Sequence, residues 1–281
     1  MSRTAWLNAL LACAVAGLGL FVYFRPGTGT KDYALATLDR AAARVVRIER
    51  PGAPPVVLEK RQNDWFLSAP LAARADAGRV DRILAIAAAR SAHRLAADDL
   101  ARFELDRPAA RLTIDGQSLD FGLVNTVSRE QYVLAGGAVY AVDVRLVTAL
   151  PAAAGDLIDK RLFGPAETPI RVELKDFGVA KEDGRWTLRP QQDELSQDDL
   201  ARWLDGWRHA QALRVEPHVG SKPLGEVRVG LSDGRTVTLG IVARAAEVAL
   251  LRSDEKLVYY FFKDAGQRLL APPGAVIGEK K

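Results

Sequence analysis

The sequence predicts an α+β fold of two tandem repeats. Each repeat is a mainly antiparallel β-sheet packed with one longer and one short helix, and the pair stands behind a single N-terminal transmembrane helix. Three observations lead there. An uncharged apolar run opens the chain, the remainder is written twice, and each copy mixes two-residue with three-to-four-residue periodicity.

The opening run extends from Ala5 to Phe24, with Asn8 as its one strongly polar side chain. About 20 residues at a 1.5 Å rise match the roughly 30 Å hydrocarbon core of a bilayer. Trp6 lies near one end, Tyr23 and Phe24 near the other, as interfacial aromatics do. Arg3 precedes the run and Arg25 follows it, so charge bias is slight; the expected orientation places the N-terminus in the cytoplasm. A cleaved signal peptide has a shorter apolar core than this, and the residues after Cys13 are apolar rather than polar, which argues against a lipoprotein signal. Cys13 is the one cysteine of the chain, which leaves the rest without a disulfide or a thiol nucleophile.

The expected domains are the anchor at 5–24, a linker at 25–43, a first module at 44–164, a second at 165–274 and a tail at 275–281. Arg47-Ile48-Glu49 opens one copy and Arg171-Val172-Glu173 the other. Each continues into a tryptophan strand that ends in proline, from Trp65 to Pro70 and from Trp186 to Pro190. A helix follows in both. Val80, Ile83, Leu84, Ala87 and Ala88 recur at helical spacing in the first, and Leu200, Trp203, Leu204 and Trp207 in the second. Asp76 and Ser196 are the expected N-caps, and Ser196 with Asp199 forms a capping-box pattern. The second half of each copy reads as a meander, with Asp115-Gly116 and Asp233-Gly234 as hairpin turns. Short helical segments before Pro151 and Pro272 close the copies.

Hydrophobic residues make up 48% of the chain, the balance of a folded protein. Its 39 basic residues are interspersed with 35 acidic ones, so no basic stripe for nucleic acid emerges. No phosphate-binding loop, dinucleotide fingerprint or nucleophile elbow occurs. His93, His209 and His218 lack the spacing of zinc ligands on a helix. The carboxylate pairs Asp98-Asp99 and Asp198-Asp199 suit helix starts, and Asp254-Glu255 a turn. No enzyme activity, cofactor or metal is therefore expected. Trp65 and Trp186 occupy matching places and read first as core anchors, with a ligand-stacking surface as the alternative.

The stretches Arg74-Ala75-Asp76-Ala77-Gly78-Arg79-Val80, Phe103-Glu104-Leu105-Asp106-Arg107-Pro108 and Asp159-Lys160-Arg161-Leu162-Phe163 resemble a bacterial membrane-anchored family catalogued as domain of unknown function 4340. The resemblance covers most of the chain after the anchor. It implies repeated α+β modules, residence in the bacterial inner membrane with the bulk of the chain periplasmic, and an envelope protein partner. Some members are linked to auxiliary components of gliding-motility-type ABC transporters, so ABC subunits are the implied partners. Glu104 stands where the family pattern has glycine, and the second copy has no counterpart of the 103–108 segment. The expected partner or ligand surface comprises Trp65, Trp186, Arg74, Asp76, Asp106 and Arg107. The expected role is that of a non-enzymatic accessory protein, with binding of a small ligand or cell-wall glycan as the alternative.

Overall fold

A computed structural model describes residues 3–23, 32–191, 195–220 and 222–275. Phe24, the first part of the expected linker and all but Ala275 of the expected tail lie outside the described residues. Among the described residues the fold is mixed α+β, with five α-helices and antiparallel sheets.

Helix α1 covers Arg3–Tyr23, with side chains described at Trp6 and across 10–21. Over the described residues no helix is long and apolar enough to cross a membrane. The large apolar side chains described on α1, from Trp6 and Leu10 to Phe21, are all exposed.

In the first half the elements follow as β1 (Tyr33–Ala34), β2 (Val45–Glu49), β3 (Val56–Arg61), β4 (Asp64–Ala69), β5 (Ala73–Arg74), α2 (Ala77–Ala87), β6 (Arg90–Ser91), β7 (Arg94–Ala96), β8 (Ala110–Ile114), β9 (Gln117–Asn125), β10 (Glu130–Ala135), β11 (Ala138–Asp143) and α3 (Val144–Val147). The second half supplies β12 (Pro169–Glu173), β13 (Gly178–Glu182), β14 (Arg185–Arg189), α4 (Gln197–Arg208), β15 (Arg214–Pro217), β16 (Gly225–Leu231), β17 (Thr236–Ala243), β18 (Glu247–Arg252), β19 (Leu257–Phe262) and α5 (Lys263–Leu270).

One sheet runs β5-β4-β3-β2-β8-β9-β10-β11-β7 and the other β14-β13-β12-β16-β17-β18-β19-β15. Apart from β5, the two orders correspond strand for strand. Residues 32–43 of the expected linker belong to the first of these halves: β1 pairs with β6, and Leu35 is buried.

Local chemistry explains the elements. Asp76 accepts from the Arg79 amide at 3.0 Å and caps α2, which buries Val80, Ile83, Leu84 and Ala87 as the spacing requires, whereas Ala88, also expected on that face, is the exposed C-cap where the helix ends. Ser196 and Asp199 form the reciprocal capping box of α4. Asp99 likewise accepts from the Arg102 amide at a 3₁₀ turn, Ala101–Phe103. Asp115 and Gly116 both take positive φ, +46° and +86°, the geometry that lets a two-residue turn match the twist of its strands. The Asp115 carboxylate then accepts from the Val45 amide at 2.8 Å, pinning the start of β2. One hydrophobic cluster, from Leu58 and Ile83 to Val229 and Tyr259, runs through both halves.

Candidate functional site

The two halves meet along the segment 157–163, which contains the Asp159–Phe163 stretch singled out in the sequence. Its first part pairs with the first half. Leu157 O accepts from the Asp76 amide at 2.8 Å, Ile158 bridges Ala75, and the Asp159 amide donates to Arg74 O at 2.9 Å. Its second part pairs with the second half. Lys160 O accepts from the Ala212 amide at 2.8 Å, Arg161 bridges Gln211, and the Leu162 amide donates to Ala210 O at 2.9 Å. Its own Leu157, Ile158, Leu162 and Phe163 side chains are buried.

Two arginines close the seam. Arg74 Nε donates to Glu255 Oε1 at 2.6 Å, and its Nη2 donates to Arg161 O at 2.7 Å and to the Tyr259 hydroxyl at 2.9 Å. The Tyr259 hydroxyl in turn donates to Glu255 Oε2. Arg252, only 2% exposed, donates through Nη1 to Leu162 O at 2.7 Å. Its Nη2 donates to Glu167 Oε1 at 2.6 Å and to Asp254 Oδ2 at 3.0 Å, and its guanidinium carbon lies 5.8 Å from the centre of the Phe163 ring.

Burial works against each of these charges, and the partners outweigh it. Burial pulls the Arg74 guanidinium down, but Tyr259 and Glu255 hold it above its ordinary value. Burial likewise opposes the charge on Arg252, while Glu167 and Asp254 raise it. Burial pushes the Glu167 carboxyl up, yet hydrogen bonds from Arg252 and the Gly164 amide bring it to about 2. Burial raises the Tyr259 phenol, so it stays a hydrogen-bond donor. The junction therefore holds ionised groups in fixed pairs, and its chemistry is that of a clamp.

Of the six residues expected to form a surface, three lie together around β5. Trp65 is 5% exposed and belongs to the core, with its carbonyl accepting from the Ala75 amide. Arg74 enters the junction, and Asp76 caps α2 while its amide joins the 157–163 segment. Trp186 sits apart, half-buried on edge strand β14. Asp106 and Arg107 are exposed and distant in role. They end the segment whose Phe103 and Leu105 pack on Val139, on the opposite face of the sheet from the main core. Glu104 takes φ +55°, the left-handed conformation that makes glycine the natural residue there.

Nothing in the sequence singles out Arg252, Glu167 or Tyr259, and Asp254-Glu255 reads there as a turn pair only. They do occupy the β18–β19 turn, but Glu255 also reaches Arg74 and Asp254 reaches Arg252. The junction between the halves is filled by the 157–163 segment and the Arg74 and Arg252 side chains. A groove of about 730 Å³ lies within the second half, between α4 and α5. Trp203, Gly206, Phe261, Leu269 and Pro272 line it, and Trp203 Nε1 donates to Ala271 O at 2.9 Å. Trp207, the neighbour of Trp203 on α4, is fully buried. Among the described residues no group of three or more His, Cys, Asp and Glu is placed to hold a metal.

A family model described as Domain of unknown function (DUF4340) matches residues 65–229. No curated protein and no solved structure matches the chain.

Proposed function

With more than half of its length matched, the chain belongs to this family of unknown function, and on that premise we propose that it is a non-enzymatic, membrane-anchored envelope protein, an accessory component of an ABC-type transport system that acts through protein–protein contacts. The observation that carries the proposal is the junction itself: buried Arg74, bound to Glu255 and Tyr259, and a shared hydrophobic core join two like sheets into one continuous body, which suits a platform for partners.

Three further features support it. The matched strand orders support a tandem duplication of one module, and repeats of this kind build extended binding faces. The anchor rests on the sequence, where the uncharged run 5–24 has 20 residues, about 30 Å of helix at 1.5 Å each. Self-paired charges such as Arg47–Glu49, Arg171–Glu173 and Arg228–Glu226 cover the strands' solvent faces and keep them soluble. Affinity purification in mild detergent at native expression is expected to recover ABC transporter subunits. Recovery of the protein alone would count against the proposal.

A second function has one observation in its favour. The groove beside Trp203 offers an apolar floor with an aromatic ring, the usual makeup of a small-ligand or glycan site. Titration of cell-wall glycan fragments against tryptophan fluorescence tests it, and a signal unchanged by Trp203→Ala would exclude this groove.

A further inference from the structure

We infer that the junction is a lock, and that the two modules act as one rigid body instead of two domains on a hinge. Consecutive domains in one chain ordinarily meet through a modest polar interface and move relative to one another. Here the connection has a different construction. Segment 157–163 is hydrogen-bonded in turn to β5 and its flank, then to residues 210–212, so the connecting chain is itself part of both halves. Hydrophobic packing continues across the seam. The two arginines that close it are each held from several directions, by carboxylates, a phenol and main-chain carbonyls.

The lock is built where the two modules differ. The β10–β11 hairpin of the first turns through Gly136-Gly137, between Ala135 and Ala138. The corresponding β18–β19 hairpin of the second turns through Ser253-Asp254-Glu255-Lys256, after Arg252. The longer turn supplies Asp254 and Glu255, and the last inward-facing position of β18 supplies Arg252 where β10 has Ala135. Arg252 fixes the connecting segment to the second module through Leu162 O, Glu167 and Asp254, while Glu255 and Tyr259 cross to Arg74 of the first, so relative rotation of the modules strands Arg74 and Glu255 away from water. On the anchored reading proposed above, the consequence is mechanical. Residues 24–31 join the anchor to Asp32, whose carboxylate pairs with Arg90 of the first module. A partner on the second module is then held at a fixed orientation to the first.

The test is a distance distribution by double electron–electron resonance on the full chain in nanodiscs. Spin labels are placed by Asp64→Cys in the first module and Arg185→Cys in the second, both exposed positions, with Cys13→Ser removing the native thiol. A single narrow distribution is expected. Arg74→Gln and Glu255→Gln are each expected to broaden it about twofold or more while circular dichroism stays unchanged. A broad or two-peaked distribution in the parent protein overturns the lock, as does an unchanged width in both variants. The measurement involves no partner, so failure of the transport proposal leaves it unaffected.

Discussion

The guanidinium of Arg74 and the carboxylate of Glu255, 181 positions apart, meet at 2.6 Å with each side chain only 15% exposed. Removing the arginine would leave Glu255 and the Tyr259 hydroxyl inside the protein without their hydrogen-bonding cation, with only Arg252 Nε, 3.7 Å from Glu255 Oε1, nearby. Loss of one partner from a buried pair costs several kcal/mol, whereas surface pairs contribute little. Arg74→Ala is therefore expected to lower the unfolding free energy by about 3 kcal/mol. Arg145→Ala, which removes an 87%-exposed side chain paired with Asp143, should leave it essentially unchanged. Urea denaturation followed by tryptophan fluorescence separates the two outcomes, and equal losses would contradict the clamp.

Glu167 makes the junction acid-sensitive in a definable window. Its carboxyl is held at about 2 in the folded protein, against an ordinary value of 4.5. Between those values the unfolded chain binds a proton at this site and the folded protein does not. Its contribution to stability is thus complete above 4.5 and is lost as the pH falls toward 2. The loss is on the order of 3 kcal/mol. Glu167→Gln should flatten the pH dependence of the urea midpoint within that window. A variant profile parallel to that of the parent would show that Arg252 gains nothing from the charge.

Local features were legible in the sequence because their causes are local. The α2 and α4 core faces follow from residue spacing, the Asp76 and Ser196 caps from one side chain three residues ahead of its amide, and the Asp115-Gly116 turn from glycine's tolerance of positive φ. Trp65 reads correctly as core, but Trp186, its counterpart, is only half-buried because β14 lies at a sheet edge. The junction was illegible for the opposite reason. Arg252 stands at an alternating strand position that a pattern reader assigns to any polar residue near a turn, and nothing within a few residues of Arg74 announces Glu255. Such pairs are set by how the sheets dock, and a single sequence carries no record of that.

Position 104 lets the motif segment be tested from both sides. Glu104 sits at φ +55°, where a side chain is disfavoured by about 1–2 kcal/mol relative to glycine. Glycine's greater freedom in the unfolded chain offsets part of this, so Glu104→Gly should raise stability by about 0.5–1 kcal/mol. Opposite it, a Cβ on Gly122 would lie 2.2 Å from Phe103 O and 2.9 Å from Leu105. Gly122→Ala should then displace the segment and lower stability by about 2 kcal/mol. Thermal melts of both variants check the pair; a stabilised Gly122→Ala would mean that the segment does not rest on β9.

Edge strand β14 is blunted by a single side chain. The Trp186 amide donates to Gln197 Oε1 at 2.7 Å, and Gln197 Nε2 donates to Trp186 O at 2.7 Å. The glutamine amide thus answers both main-chain groups as a neighbouring strand would, at the place where β5 covers β4 in the first module. An uncovered edge is a template for pairing with another chain. Gln197→Ala is expected to lower stability by about 1 kcal/mol and to promote concentration-dependent association, seen by sedimentation velocity. Gln197→Glu keeps the acceptor for the Trp186 amide and loses the donor to its carbonyl, so it should fall between alanine and the parent. Association of Gln197→Ala no greater than that of the parent would show that the charged flanks of β14, Arg185 and Arg189, protect the edge without the glutamine.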